Sequence, residues 1–189
     1  RAAFEFARKN GKKNVTIVTK ANIVKLADGN FIKAVRKVGE EYPDVETEYM
    51  FVDNAAMRLV QWPKSFDVMV TENMFGDILT DEASVITGSL GMLPSASIGV
   101  HTSVFEPIHG SYPQAAGKNI ANPLATILSA ALMFEYAFNL PNEGKLIRKA
   151  VDASIEAGIV TEDLTKDGKT YSTSEVGEWI TNYISNYQL

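Results

Sequence analysis

The chain has 189 residues, 46% of them hydrophobic and 22% charged, so it can bury the core of one large domain or of two small ones. Its net charge of −5, with no cluster of basic residues, argues against a nucleic-acid partner. The absence of cysteine excludes disulfides and thiolate metal sites and is typical of a cytoplasmic protein, which is our expectation for this chain.

The first half of the chain predicts alternating helices and strands. Apolar residues at helical spacing indicate helices, and short β-branched or alternating runs indicate strands. In chain order the patterns predict a helix over 1–10, a strand over 15–19, a helix over 30–41, a strand over 45–51, a helix over 53–62, a strand over 66–71 and a helix over 76–87. This alternation is typical of a layered α/β domain.

The second half of the chain has a different sequence pattern. Residues 88–121 are rich in glycine and proline and predict loops, and we place a domain boundary near Gly88. Asn122 and Pro123 then form a good cap and first residue of a helix. Helices are predicted over 122–138, 143–157 and 174–187. The longest apolar run, 124–134, is shorter than the ~20 residues that span a bilayer, so no membrane partner is predicted.

Two aspartates stand four residues apart on the predicted helix 76–87. The carboxylates of Asp77 and Asp81 therefore lie on one face, where like charges repel unless a cation lies between them. Carboxylate oxygens prefer a hard cation such as Mg²⁺ or Mn²⁺. Spacing alone favours the simpler interpretation, in which both residues favour the positive end of a helix dipole and face water.

Two further residues have chemistry that depends on their place in the predicted elements. Asp53 begins a predicted helix and is explained equally well as its N-cap. Lys20 follows a buried strand at its C-terminal end, where α/β proteins bind ligands, and a lysine there can act as a general acid or base. On spacing alone a solvated lysine at a strand end is the simpler interpretation.

Five ordered motifs change this balance. They are 19–22 (TKAN), 52–57 (VDNAAM), 73–81 (NMFGDILTD), 105–111 (FEPIHGS) and 116–123 (AGKNIANP). Together they closely resemble the β-decarboxylating dehydrogenases, the family that acts on isopropylmalate, isocitrate, homoisocitrate and tartrate. Two segments, 76–81 and 88–97, resemble the isopropylmalate-using members in particular. No GxGxxG fingerprint is present, and the family does not use one.

The resemblance implies a fold and a domain organisation. It implies the layered α/β fold of this family, present here as an incomplete part of a two-domain subunit. Residues 1–88 are expected to belong to the α/β domain for dimerisation and metal binding, and residues 89–189 to the C-terminal part of the cofactor-binding α/β domain. The chain opens at Arg1 within a helical pattern, so its beginning looks cut. The resemblance implies that the chain is the C-terminal half of a subunit, and because the family's substrate-binding arginines and catalytic tyrosine lie in the other half, we expect it to be inactive alone.

The resemblance also assigns an active site. It implies that Asp53, Asp77 and Asp81 bind Mg²⁺ or Mn²⁺, and that Lys20 is catalytic. Asp53 and Asn22 are the expected contacts to substrate. Asp53 and Lys20 are expected to reach the active site of a neighbouring subunit, which implies a homodimer with shared active sites.

A loop over 109–122 is expected to hold the adenosine end of NAD. The implied contacts are His109, Gly110, Ser111, Gln114, Ala115 and Asn122. Gln114 stands where NAD-using members commonly carry an aspartate, so the charge that would repel a 2′-phosphate is missing at this position. Because no lysine or arginine stands at the same turn, the expected cofactor is NAD. Tyr112 is larger than the family pattern suggests.

The implied reaction is the oxidative decarboxylation of (2R,3S)-3-isopropylmalate to 4-methyl-2-oxopentanoate with NAD and a divalent metal, a step of leucine biosynthesis. Two alternatives stay open. The substrate can instead be isocitrate, tartrate or homoisocitrate, because the residues that select it are expected in a half that this chain lacks. Alternatively, the chain is a non-catalytic α/β assembly or metal-binding module.

Overall fold

The computed structural model describes residues 1–165 and 168–187. They fall into two compact units, Arg1–Ile86 and Thr87–Leu189. The elements of the first unit are α1 (Ala2–Lys9), β1 (Asn14–Thr19), α2 (Lys25–Gly39), β2 (Glu46–Phe51), α3 (Val52–Gln61), β3 (Val68–Val70) and α4 (Asn73–Thr87), which ends at the boundary. The second unit contains β4 (Pro94–Ile98), β5 (Ser103–Pro107), α5 (Leu124–Tyr136), α6 (Pro141–Glu156) and α7 (Thr173–Ser185).

A parallel sheet organises the first unit. Its strands lie in the order β2-β1-β3, and Thr19 at the end of β1 pairs in register with Phe51 at the end of β2. The segments that follow the three strands therefore leave the sheet at the same edge. This edge is where parallel α/β sheets bind ligands.

The central strand β1 contributes to two apolar clusters. Val15 packs with the α1 residue Phe4, whose ring stacks on Tyr42 at a centroid distance of 5.1 Å. Val18 packs in a second cluster with residues of β2, α3 and α4. Since side chains alternate across a strand, these two positions place apolar groups on both faces of the sheet. The layered α/β class predicted from the alternation is confirmed.

Helices cover a hairpin in the second unit. Strands β4 and β5 pair antiparallel, and α5 packs against both strands and against α6. Leu124 and Leu128 of α5 are buried in a core cluster with residues of α6 and α7. The α5–α6 contact is close at Gly144, where a Cβ atom would lie 3.0 Å from the carbonyl oxygen of Ala131.

Three element predictions were wrong. The segment 88–121 was predicted as loop but contains β4 and β5, whose residues are only partly buried and too polar to give an apolar strand signal. Helix α2 begins at Lys25, five residues before its predicted start at position 30. Helix α4 begins at Asn73 rather than at Gly76.

The sequence-based expectation about membranes concerned the apolar run 124–134. Within the described residues, no helix combines the length and the apolarity needed to cross a membrane.

Candidate active site

The structure brings Lys20 and Asp53 together. Lys20 directly follows β1, and Asp53 lies in the first turn of α3, directly after β2. Because β1 and β2 are parallel neighbours, both residues leave the sheet at the same edge. The Lys20 Nζ atom lies 2.9 Å from Asp53 Oδ2, and the lysine side chain is 26% exposed against 64% for the aspartate.

The buried side chain of Asp28 holds the backbone at Lys20, the candidate catalytic residue. Asp28 of α2 accepts a hydrogen bond of 2.7 Å from the Lys20 backbone N–H and is 8% exposed. The Lys20 carbonyl in turn accepts hydrogen bonds from the N–H groups of Ile23 and Val24, which closes the turn. Asn22 is exposed within this turn. Sequence patterns gave no indication of Asp28, because nothing in its spacing marks it as the partner of a strand-end backbone group.

The ion pair with Lys20 lowers the pKa of Asp53. The hydrogen bond from Lys20 outweighs the effect of desolvation and holds the pKa of Asp53 below its ordinary value. Asp53 is therefore an ionised oxygen donor at neutral pH, as both an ion pair and a metal ligand require.

The N-terminus of α4 is capped by Glu72, and Asp77 and Asp81 lie too far along the helix to interact with the positive end of its dipole. Glu72 precedes the helix and accepts hydrogen bonds from the backbone N–H groups of Met74 and Phe75, at 3.0 and 2.9 Å. The positive end of the helix is therefore already satisfied by Glu72. Asp77 and Asp81 lie in later turns, where the dipole effect has fallen off. The helix-dipole part of the simpler interpretation is therefore wrong, since neither aspartate lies in the first turn.

Both aspartates of α4 face solvent. Asp77 accepts a hydrogen bond of 2.9 Å from the Asn73 side-chain amide, and no ion pair within the described residues involves Asp77 or Asp81. Their oxygens are hard donors in an exposed position, which fits the coordination chemistry of Mg²⁺ or Mn²⁺.

The carboxylates do not converge within one chain. Among residues 1–165 and 168–187, no three acidic or histidine side chains come close enough to hold a metal ion together. Asp53 is paired with Lys20, whereas Asp77 and Asp81 form a separate pair on α4. The first unit thus carries two partial sites, one with a lysine and a carboxylate and one with two carboxylates.

A cavity of about 460 Å³ lies in the second unit. This volume is within the range of small-molecule sites. Four of the predicted cofactor contacts line it, namely His109, Gly110, Ser111 and Asn122. The other two are not among its lining residues: Gln114 is exposed on the short turn Pro113–Ala115, and Ala115 is buried at its end.

The loop that lines the cavity is fastened to α7. Asn119 has a positive φ of 57°, and its side chain donates to Ser174 Oγ at 2.7 Å and accepts from the Ser174 backbone N–H at 3.1 Å. Thr173 Oγ1 donates to the Ala121 carbonyl at 2.5 Å. A capping box formed by Ser172 and Glu175 holds the start of α7 in turn. The loop is therefore fixed by a helix end rather than by its own sequence.

Sequence reasoning missed the two acidic residues that line the cavity. Glu162 and Asp163 line it together with Gly91 and Tyr112. Burial raises the pKa of Asp163, but hydrogen bonds from Ser89, Thr161 and Asn122 outweigh it, so this pKa lies below its ordinary value. Two adjacent acids in a loop are common, so their spacing carried no signal.

Matches to known proteins identify the family to which this chain belongs. The family model for isocitrate/isopropylmalate dehydrogenases matches residues 1–180, and the chain belongs to this family. A 3-isopropylmalate dehydrogenase from Bacteroides fragilis is 57% identical over 186 residues, and one from Aquifex aeolicus is 52% identical over 168 residues. These matches cover 97% and 89% of this chain, but 52% and 46% of the relatives. The resemblance carried by the five motifs is confirmed.

Solved structures agree with this family. The structure of an isocitrate dehydrogenase from Methylococcus capsulatus matches with a TM-score of 0.92 at 43% identity, over 97% of this chain and 54% of that one. A β-decarboxylating dehydrogenase from Thermococcus kodakarensis matches with a TM-score of 0.87 at 39% identity, over 98% of this chain and 53% of that one. The chain thus spans about half the length of the relatives and structures that it matches.

Proposed function

We propose that the protein containing this chain is a metal-dependent, NAD-linked dehydrogenase that oxidatively decarboxylates 3-isopropylmalate to 4-methyl-2-oxopentanoate. The observation that carries the proposal is the 2.9 Å contact between Lys20 Nζ and Asp53 Oδ2 at the carboxyl edge of the parallel sheet. It joins the expected catalytic lysine to an expected metal ligand. The names of the relatives from Bacteroides fragilis and Aquifex aeolicus support the same substrate. The reaction would place the protein in leucine biosynthesis, in the cytoplasm.

The chain's own residues have distinct roles in this proposal. Asp53, Asp77 and Asp81 hold the dication, which supplies Lewis-acid chemistry at the substrate hydroxyl and carboxylate when bound. Lys20 exchanges a proton with the substrate hydroxyl as hydride leaves for NAD⁺. The 2.9 Å ion pair with Asp53 holds the Lys20 ammonium group beside a carboxylate that would bind the dication. Asn22, exposed beside Lys20, is a further contact for substrate.

We infer a homodimer with shared active sites, because one chain does not bring its metal ligands together. Asp53 and Lys20 of one subunit would join Asp77 and Asp81 of the other. Helix α4 also exposes large apolar side chains that a second subunit can cover: Met74 is 59% exposed, Ile78 58% and Val85 78%. Apolar surface of this kind is typical of homodimer interfaces.

The charge of the cavity in the second unit supports NAD over NADP. Its lining residues include the carboxylates of Glu162 and Asp163 but neither lysine nor arginine, within the part of the chain that the structure describes. Two carboxylates disfavour the dianionic 2′-phosphate that distinguishes NADP. The negative charge that Gln114 does not supply is thus present at Glu162 and Asp163, which adds support to the expectation of NAD.

A second substrate has one observation in its favour. The structural match in Methylococcus capsulatus is an isocitrate dehydrogenase with a TM-score of 0.92. Initial rates of NADH formation by the full-length protein with Mn²⁺ distinguish the two candidates. We expect strong preference for 3-isopropylmalate over isocitrate. Preference for isocitrate would replace the substrate, and no turnover of either would contradict the proposed function.

A further inference from the structure

The carboxylate of Asp163 is the centre of a hydrogen-bond network in the cavity wall. Its Oδ2 atom accepts from Ser89 Oγ at 2.6 Å and from the Asn122 side-chain amide at 2.9 Å. Its Oδ1 atom accepts from Thr161 Oγ1 at 2.6 Å. Three donors from three different segments thus converge on one side chain.

Asn122 is held at both ends of its amide group. Its Nδ2 atom donates to Asp163, and its Oδ1 atom accepts from the Leu124 backbone N–H at 2.9 Å. Gly91 packs directly against this amide, since a Cβ atom at position 91 would lie 2.8 Å from Asn122 Nδ2. An ionised carboxylate accepts hydrogen bonds and cannot donate them, so the amide cannot turn its oxygen towards Asp163.

Because its orientation is fixed, the Asn122 side-chain amide has a defined hydrogen-bond donor and a defined acceptor left for a ligand. A side-chain amide has two N–H donors and two lone pairs on oxygen. Asp163 and Leu124 use one of each, so Asn122, which lines the cavity, retains one donor and one acceptor. An adjacent donor and acceptor complement the edge of adenine, which offers a ring nitrogen acceptor beside its 6-amino donor.

We propose that Asp163 is a positioning residue that makes the cavity selective for adenine by fixing the orientation of the Asn122 amide. The inference rests on the proposed function, because it takes the cavity as the site for the adenosine end of NAD. Hypoxanthine carries a carbonyl oxygen, a hydrogen-bond acceptor, where adenine carries its 6-amino donor. The fixed amide oxygen of Asn122 is itself an acceptor, so it would face a second acceptor and form no hydrogen bond with it. Selection between the two bases therefore reports the orientation of this amide.

Binding of reduced dinucleotides to the full-length protein tests the proposal without turnover. NADH is compared with reduced nicotinamide hypoxanthine dinucleotide by fluorescence titration, and wild type is expected to bind NADH about tenfold more tightly, the effect of one mismatched hydrogen bond. Asp163→Ala is expected to weaken NADH binding about tenfold and to change binding of the analogue less than about twofold.

Two further variants and a control separate positioning from general support. Asp163→Asn should restore most of the preference, because its amide oxygen can accept from Asn122 while its amide nitrogen donates to Thr161. Asn122→Ala should abolish the preference even if Asp163→Ala fails to fold. Asp152→Ala removes an equal charge from the exposed side of α6 and should leave both affinities unchanged.

The outcomes separate this inference from the function on which it rests. A wild-type protein that binds both dinucleotides equally, or an Asp163→Ala variant that loses affinity for both in parallel, would overturn the positioning role. Wild-type protein that binds neither dinucleotide would contradict the proposed function itself.

Discussion

At the scale of single residues, the contact between Lys20 and Asp53 gives spatial evidence that the sequence motifs alone do not contain. The motifs assigned each residue a role through resemblance, but neither position alone distinguishes a catalytic group from a solvated lysine or a helix cap. The ion pair of 2.9 Å places both at one edge of the sheet. Two residues to which the proposed function gives complementary roles are therefore in contact.

Replacement of Lys20 by alanine in the full-length protein tests its role in proton transfer. We expect kcat to fall by about 10²- to 10⁴-fold, the contribution typical of a positioned acid or base. Mn²⁺ should still bind, because its carboxylate ligands are intact. Steady-state rates and Mn²⁺ titration measure the two properties.

An exposed lysine on α2 provides the matched control for that variant. Lys33→Ala removes the same charge from a position outside the proposed site and should leave kcat unchanged. Turnover by Lys20→Ala close to that of wild type would remove Lys20 from the mechanism.

Cofactor choice is also decided by single residues. Glu162 is exposed and lines the cavity, so Glu162→Lys replaces a carboxylate with an ammonium group that can bind a 2′-phosphate. We expect the ratio of kcat/KM for NADP⁺ to that for NAD⁺ to rise about tenfold or more. Parallel rate measurements with the two cofactors give this ratio.

The control for this change is a glutamate of the same unit that does not line the cavity. Glu156→Lys at the end of α6 makes the same change in charge and should leave the cofactor ratio as in wild type. Equal kcat/KM for NAD⁺ and NADP⁺ in the wild-type protein would contradict the account of NAD preference.

The residues that sequence reasoning missed share a physical property. Asp28 and Asp163 act through hydrogen bonds to groups outside their own segments, Lys20 at a separation of 8 residues and Asn122 at a separation of 41. Periodicity and local motifs report neighbours along the chain, so they carry no information about such partners. His109 and Asn122 were found because a motif includes them directly. The proposed roles of all six cofactor contacts stay predictions, although Gln114 and Ala115 alone do not line the cavity.

At the scale of elements, local sequence predicted those with strong apolar periodicity. Strand β1 was predicted to within one residue because β-branched residues fill it, and its side chains are buried. Strands β4 and β5 were missed because small and polar residues contribute much of their sequence, and none of their residues is fully buried. The start of α4 was missed because Glu72 caps it from outside the helix, at a position that no capping pattern marked.

The α5–α6 contact gives a test of packing. An alanine Cβ at Gly144 would lie 2.5 Å from Glu135 Cγ and 3.0 Å from the Ala131 carbonyl oxygen. We expect Gly144→Ala to lower the free energy of unfolding by about 1–3 kcal/mol, as overpacking does at close contacts. Urea unfolding of the full-length protein measures the change.

A second glycine inside a helix provides the opposite expectation. A Cβ atom at Gly29 of α2 would meet nothing within 4 Å. Gly29→Ala should therefore raise the free energy of unfolding by about 0.5–1 kcal/mol through helix propensity alone. Equal effects of the two substitutions would show that the α5–α6 contact is less close than described.

At the scale of the whole molecule, the separation of the carboxylates is the main result. One chain pairs Lys20 with Asp53 and carries Asp77 and Asp81 separately on α4. The resemblance already implied that Lys20 and Asp53 reach the active site of a neighbouring subunit, but the sequence could not show that these two residues form an ion pair. The exposed apolar side chains of α4 give a second subunit a surface to cover.

The most direct test of this account is activity in a mixed dimer of two inactive full-length variants. Lys20→Ala and Asp81→Asn each disable both sites of a homodimer. If each site combines Lys20 of one subunit with Asp81 of the other, the purified hybrid has one intact site and regains about half of wild-type activity per dimer. A hybrid no more active than either parent would contradict the shared active site.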